Sequence, residues 1–340
     1  MKTSDFDYDL PPDFIAQKPV EPRDSARLLV MDRASGSLRH HIFRDLVELL
    51  SPGDMLVLNE TRVISARLYA RKVPSGGRVE LLLLRKITPL RWEAMVGGKR
   101  LFKGQELQVE SGPEAEIIAE REGSQRIIQF SQPVDDWLHL AGHVPLPPYI
   151  KVVLNDPERY QTIYAHETGS AAAPTAGLHF TQNLLKRLDA MGVRIAKLVL
   201  HVGLDTFAPV TADDPRDHKI HKEWCRIPHK VASDIVETKS AQGRVIAVGT
   251  TSVRALESAA ARSGSGHNVD AFDGPTELFI LPGFEFRIVD AMITNFHLPR
   301  SSLLMLVSAF AGLEQIMKAY EAARQEGYRY YSFGDAMLIL

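Results

Sequence analysis

Short apolar runs and helically spaced stripes interleave along the first sixty residues. Arg27-Leu-Leu-Val-Met31 is an apolar run of strand length, ended by the turn formers Ala34-Ser-Gly-Ser37. Phe43, Leu46, Val47 and Leu50 fall at helical spacing and predict a short helix stopped by Ser51-Pro-Gly53, after which Met55-Leu-Val-Leu58 predicts a buried strand. From about residue 64 the texture becomes β-rich: Val79–Leu84, Trp92–Val96, Leu107–Val109, Ala115–Ala119 and Arg126–Phe130, separated by turns such as Ser75-Gly-Gly77 and Gly97-Gly98. Strands at this spacing predict a small antiparallel barrel or sandwich that ends near Pro145-Leu-Pro-Pro148.

After residue 150 helices and strands alternate, as in βαβ units. Thr181 is placed to cap a helix whose apolar stripe is Leu184, Leu185, Leu188 and Met191, and Gly192 sits where a C-terminal glycine belongs. Strands are expected over Val193–Val202 and Arg244–Val248; after the Gly249-Thr-Thr-Ser252 turn a helix is expected from Val253 to about Ala261. Residues 263–275, rich in Gly, Ser and Asp, read as a surface loop, Ser301 to about Gln325 as helices, and Tyr328–Phe333 as a final strand. The β-rich block, residues 64–147, is thus inserted into a discontinuous α/β domain made of residues 1–63 and 148–340.

Of 340 residues 45% are apolar and 24% charged, enough for roughly two domains with their own cores, which excludes a disordered chain or a stapled mini-protein. The formal net charge of −2 counts against a protein held on nucleic acid by phosphate attraction alone. Local charge alters that picture. Between Arg67 and Lys103 ten basic residues meet only Glu80 and Glu93, an excess of eight, whereas from Gly104 to Asp136 eight acids meet Arg121 and Arg126. Laid together, the first strands form a basic face for phosphates, with Trp92 and Phe102 near for stacking; the plainer reading is a solvated strand face. The single cysteine, Cys225, permits no internal disulfide and no Cys-rich metal site, and suits a reducing compartment as an inert thiol. The N-terminus lacks a signal-peptide pattern, and the longest apolar run, Leu303 to Leu313, falls short of the ~20 residues of a spanning helix. A soluble cytoplasmic protein is expected.

Four segments concentrate chemistry. Ala173-Pro-Thr-Ala-Gly-Leu-His-Phe-Thr181 delivers His179 to a helix entrance through a loop whose small residues, Gly177 among them, let amides approach a ligand. Gly249-Thr-Thr-Ser-Val-Arg254 ends a strand in Gly and small hydroxyls, the usual ligand position in open α/β sheets, yet it is neither a dinucleotide fingerprint nor a P-loop. His218-Lys-Ile-His221-Lys-Glu223 offers two imidazoles and a carboxylate for proton transfer or a metal, without matching a zinc protease signature. Thr294-Asn-Phe-His-Leu-Pro299 presents His297 before a helix capped by Ser301 or Ser302, and His201 lies in Leu200-His-Val-Gly-Leu204. Each histidine has a bland alternative as a cap or a satisfied core residue; His40-His41 reads as surface.

Ten motifs run in order along nearly the whole chain: Phe6-Asp-Tyr-Asp-Leu-Pro11, Arg23-Asp-Ser-Ala-Arg-Leu-Leu29, Leu58-Asn-Glu-Thr-Arg-Val63, Pro145-Leu-Pro-Pro-Tyr-Ile150, Tyr160-Gln-Thr-Ile-Tyr164, Ala172-Ala-Pro-Thr-Ala-Gly-Leu-His-Phe180, Leu200-His-Val-Gly-Leu204, Gly249-Thr-Thr-Ser-Val-Arg-Ala-Leu-Glu257, Thr294-Asn-Phe-His-Leu-Pro299 and Tyr331-Ser-Phe-Gly-Asp-Ala-Met337. With them the sequence closely resembles the S-adenosylmethionine:tRNA ribosyltransferase-isomerase family of queuosine biosynthesis. The resemblance implies a discontinuous mixed α/β domain with an inserted small antiparallel β-barrel. It also implies transfer of the ribosyl portion of S-adenosylmethionine to 7-aminomethyl-7-deazaguanine at the tRNA wobble position, giving epoxyqueuosine with release of adenine and methionine. S-adenosylmethionine is then a consumed substrate, no cofactor or metal is required, and a monomer without membrane partners is expected. The family commonly has Gly at Asp205, a small residue at Lys222 and Met at Ile220; no role is carried over to Asp205.

This chemistry needs a base for the acidified 5′-methylene and an acid for departing adenine. The candidates are His179, His221 with Glu223, and His297. Thr175, Gly177, His201, Thr250, Thr251, Arg254 and Asn295 are the expected substrate contacts, and Arg71, Lys72 and Arg78 the expected tRNA contacts. Two rivals remain at this stage: a metal-dependent hydrolase built on His218, His221 and Glu223, and a non-catalytic RNA-binding module.

Overall fold

Nine strands form one mixed sheet in the order Phe272–Thr276, Glu223–Ile227, Arg194–Leu200, Met55–Asn59, Val245–Val248, Ala291–Asn295, Ala336–Ile339, Arg27–Met31, Leu38–Ile42. The computed structural model describes residues 1–152, 154, 156–203, 209–220, 222–263 and 269–340. The middle four strands are parallel, with Leu56 registered between Ile195 and Ile246, and Ile246 beside Ala291. Antiparallel pairs flank them. Met55–Asn59, Val245–Val248 and Ala291–Asn295 are buried throughout, the expected state of parallel strands covered on both faces. Leu56, Leu58, Ile246, Val248 and Ile293 pack with Leu184, Leu185 and Leu188 of the helix Gln182–Ala190. Alternation sends Met55 to the other face, where Thr238 of the helix His229–Ser240 meets its sulfur; the helix Thr250–Arg262 covers the same strands. Thr181 caps Gln182–Ala190 by accepting from the Leu184 amide at 3.1 Å.

The middle four strands stand in the spatial order second, first, third, fourth of their chain order. The connections therefore diverge between Met55–Asn59 and Val245–Val248, and a crevice opens at such a switch point beyond the strands' carboxyl ends.

The chain divides into two compact units: Met1–Arg62, Pro148–Glu167 and Ala173–Leu340 form the α/β unit, and Val63–Pro147 with Thr168–Ala172 the second. Thr168–Ala172, grouped with the α/β part by sequence, thus lies with the inserted unit. In that unit Arg67–Lys72, Arg78–Thr88, Arg91–Gly97, Gln125–Phe130, Glu114–Glu120 and Glu106–Val109 pair in turn, and Glu106–Val109 closes on Arg67–Lys72. Closure makes it a six-stranded antiparallel barrel rather than a sandwich. Alternate residues fill it, among them Leu68, Leu81, Leu83, Ala94, Ile117 and Ile128. Trp92 is one of these core residues at 5% exposure, which removes it from any stacking surface, whereas Phe102 is 55% exposed.

Several boundaries differ from expectation. The helix after Gly249 starts at Thr250, not Val253, so both threonines belong to its first turn. The last strand is Ala336–Ile339; within Tyr328–Phe333 only Tyr330 pairs, in an isolated parallel bridge with Ile15. Phe272–Thr276, expected in a loop, is an edge strand whose position tolerates Gly274 and Pro275. Leu38–Ile42, Glu223–Ile227 and Ala291–Asn295 were not expected as strands, nor His229–Ser240 as a helix. Among the described residues no single helix is long and apolar enough to cross a membrane; Ser302–Ala311 and Leu313–Gln325 pass only together and are bent by 112°.

Candidate active site

The carboxyl ends of the parallel strands deliver Asn59, Gly249, Thr294 and Asn295 to one edge of the sheet. Beyond them lies a cleft with ≈ 610 Å³ of space between atoms, part of it open solvent. Gly249, at φ +86°, swings the backbone from strand into helix through a conformation that a side chain would strain. Thr250 and Thr251 then line the cleft at the helix start, where amides outside the intrahelical ladder favour anionic or hydroxyl-bearing groups. Asn59 ties the switch point together. Its Oδ1 accepts from the amides of Thr61 and Leu200, at 3.1 and 3.0 Å, and its Nδ2 donates to the Leu200 carbonyl at 2.9 Å and to Thr251 Oγ1 at 3.3 Å.

Asn295 is the hub of the cleft wall. Thr175 Oγ1 donates to its Oδ1 at 2.8 Å, and its Nδ2 donates to His179 Nε2 at 3.2 Å. His179 is buried, lies against Phe43 and hydrogen-bonds the Arg23 carbonyl; burial pushes its pKa down to about 4, so the ring is neutral and its Nε2 can accept. It does not line the cleft. The ring stands behind Asn295 and fixes that amide's orientation. Gly177 is likewise turned inward: a Cβ there would fall 2.1 Å from the Tyr164 hydroxyl, so its smallness serves packing rather than ligand approach.

His297 does line the cleft. Its Nε2 pairs with Thr294 Oγ1 at 2.7 Å, its amide donates to the Tyr320 hydroxyl at 2.9 Å, and its carbonyl accepts from Tyr8. Burial alone drives its pKa down to about 3, so the imidazole is unprotonated at neutral pH. Opposite chemistry comes from Tyr149 and Tyr331, whose rings lie 4.7 Å apart on the cleft wall; Tyr149 shares a 2.8 Å hydrogen bond with Ser332. Tyr331 holds φ +70°, a left-handed conformation unfavourable for a bulky residue. Both tyrosines, Ser332 and Asn59 escaped the sequence reading, although each sits inside a motif that carries the family resemblance.

Leu303 lines this cleft and also a second hollow, with ≈ 510 Å³ of space between atoms that includes open solvent. There Glu223 and Arg254 form a buried ion pair. The Glu223 carboxylate also accepts from the Gly203 amide at 3.0 Å, and Arg254 Nε donates to the Leu278 carbonyl at 3.0 Å. The carboxylate thereby anchors Arg254 and the Gly203 backbone in the wall of the hollow. His221 lies outside the described residues, as does Asp205. His218 borders the hollow with its ring 5.8 Å from Phe279. His201 lines neither cavity: Nδ1 pairs with Thr61 Oγ1 at 2.8 Å and the ring stacks on Trp224 at 5.3 Å, with burial lowering its pKa. Cys225 is buried, and burial pushes its thiol up to about 12. Among the described residues no three His, Cys, Asp or Glu side chains gather as metal ligands.

On the barrel, Arg71 pairs with Glu110 at 3.3 Å, Arg67 with Glu80, Arg85 with Glu93 and Lys86 with Asp135. Lys72 donates to the carbonyls of Lys99 and Arg100. Arg78 stays exposed with no ion pair among the described residues, as do Lys99, Arg100 and Lys103 in the turn that carries Phe102.

An open α/β sheet with a ligand cleft at its switch point, walled by a neutral imidazole, hydroxyls, an amide and paired tyrosines, defines an enzyme for a small polar substrate. A family model described as queuosine biosynthesis protein matches residues 3–339, and the chain belongs to that family. It is 51% identical to the S-adenosylmethionine:tRNA ribosyltransferase-isomerase of Symbiobacterium thermophilum and 50% identical to that of Thermotoga maritima, each alignment spanning both chains fully. The crystal structure of S-adenosylmethionine tRNA ribosyltransferase from Thermotoga maritima superposes with a TM-score of 0.58 and 39% identity, covering 99% of this chain and 100% of that one.

Proposed function

We propose that this chain is an S-adenosylmethionine:tRNA ribosyltransferase-isomerase, which transfers and isomerises the ribosyl group of S-adenosylmethionine onto 7-aminomethyl-7-deazaguanine at the tRNA wobble position. Adenine and methionine leave, and the product is epoxyqueuosine-tRNA. The observation that carries the reading is full-length identity near 50% to enzymes of that name, combined with a cleft whose chemistry suits it. The sulfonium acidifies the adjacent 5′-methylene; a base takes that proton, the ribose ring opens, and adenine leaves protonated. His297 is the base in this proposal, since it faces the cleft and is unprotonated at rest. Thr250, Thr251 and the Thr175–Asn295 pair hold the ribose hydroxyls, His179 keeps Asn295 oriented, and Tyr149 and Tyr331 flank a planar base.

The same reading takes the enzyme to act as a monomer in the cytoplasm, where a tRNA substrate is met. The barrel's unpaired cations, Arg78 foremost, support contact with tRNA phosphates. The test is to incubate the protein with S-adenosylmethionine and precursor tRNA, following adenine and the nucleoside mass. Adenine release with the mass gain of the transferred ribosyl group is expected. No adenine and an unchanged nucleoside would overturn the proposal, and RNA binding without turnover would leave only a binding module.

A further inference from the structure

The second hollow contains a cation with an unused arm. Arg254 is 5% exposed, its Nη1 is taken by Glu223 and its Nε by the Leu278 carbonyl, yet Nη2 is buried without a hydrogen-bond partner among the described residues. A guanidinium N–H left unpaired away from water is costly, and a site that leaves one is built to receive an acceptor. Besides Glu223, His218 and Ser302, the side chains of the surrounding wall are aliphatic and aromatic, Leu278, Phe279 and Leu306 among them. A ligand for such a hollow has an anionic oxygen at one end and an unbranched apolar stem.

Position narrows the choice. Thr250 and Arg254 stand four residues apart on one helix and therefore on the same face, the first lining the main cleft and the second the hollow, with Leu303 shared by both. We propose that the hollow receives the amino-acid end of S-adenosylmethionine, its carboxylate on Arg254 Nη2, its methylenes along Leu278 and Leu306, and its sulfonium beside Leu303. This rests on S-adenosylmethionine being the substrate. The zwitterion's carboxylate and ammonium mirror the charges of the Arg254–Glu223 pair, so an amino acid enters without adding net charge to a buried site. The same pocket then holds the methionine product after adenine has left, and free methionine competes with S-adenosylmethionine.

Calorimetry on the resting enzyme tests this apart from turnover. L-Methionine and L-norleucine should bind, and L-methioninol, which lacks the carboxylate, should bind about 10- to 100-fold more weakly. Arg254→Lys keeps a charge for Glu223 but loses the fork, and should weaken methionine binding and raise the KM for S-adenosylmethionine by about the same factor. Leu278→Trp, at a half-buried wall position, should block methionine by filling the hollow even if the arginine variant folds poorly. 5′-Methylthioadenosine, which lacks the amino-acid end, should bind both variants as it binds the unaltered enzyme. Absence of methionine binding, equal binding of methioninol, unaltered methionine binding in both variants, or a parallel loss of 5′-methylthioadenosine binding would overturn the proposal. A failure of adenine release in the tRNA assay would instead strike the functional reading.

Discussion

The edge of the parallel sheet and the face of the barrel both gather polar side chains, but they treat them in opposite ways. At the sheet edge Thr294, Asn295 and His297 are buried, each fixed by named partners at short range, and the imidazoles are held neutral by desolvation. On the barrel the charges remain largely hydrated, and four of the ten cations between Arg67 and Lys103 are cancelled in pairs. Burial makes each polar group costly unless satisfied, so its geometry becomes exact enough for chemistry; exposure makes charge cheap and exchangeable, which suits reversible contact with a polyanion.

The contrast is broken most directly at His297. His297→Ala should lower single-turnover adenine release by ~10²–10⁴, while His179→Ala, acting only through Asn295, should lose less rate and more stability. A near-normal rate in His297→Ala would remove the cleft's base. Acid is the next lever. Both histidines have folded pKa values, about 3 and about 4, below the ordinary 6.5, so the unfolded chain binds more protons between those values. Stability is therefore full above about pH 6.5 and falls as the pH drops toward 4, by on the order of 1.4 kcal/mol per pH unit for each ring. Denaturant titrations at several pH values, read through Trp224 fluorescence with Trp92 and Trp137 replaced by Phe, should show that slope, and His297→Asn should flatten it.

Asn295→Ala strands the Thr175 hydroxyl and His179 Nε2 and should cost roughly 1–3 kcal/mol of stability with a higher KM for S-adenosylmethionine; a change below a few tenths would mean the amide is not the hub of the wall. The smallest effects belong to the barrel. Arg78→Gln should raise the KM for tRNA a few-fold and reduce the salt slope by about 0.7–0.9. The double replacement Arg71→Gln with Glu110→Gln removes a neutral pair and should leave both unchanged. If the two variants behave alike, pairing does not decide which cations meet tRNA.

Much of the α/β unit was legible because local rules and burial agree there. Thr181, Gly192 and the stripe Leu184, Leu185 and Leu188 specify one helix from neighbouring residues alone. Ala291–Asn295 was not legible: a run buried on both faces lacks alternation, and it merges in sequence with the loop that carries His297. The motifs placed Thr175, Thr250, Thr251, Asn295 and His297 at one cleft, but they could not distinguish the histidine that faces it from the one that stands behind it. Gly177 shows the same limit, since a small residue reads as ligand space until its neighbour, Tyr164, is known.

By itself, then, the sequence determined the family, the inserted β-rich block, the residue types of the cleft and the segments that bear them. Those follow from composition, period and motif, all of which are local in the chain. The tertiary structure decided closure of the barrel, the ion pair of Glu223 with Arg254, the neutrality of His179 and His297, and the entry of Tyr149 and Tyr331 into the site. Each of these depends on which distant segment supplies a partner or excludes water, and that is set only when the strands find their order in the sheet.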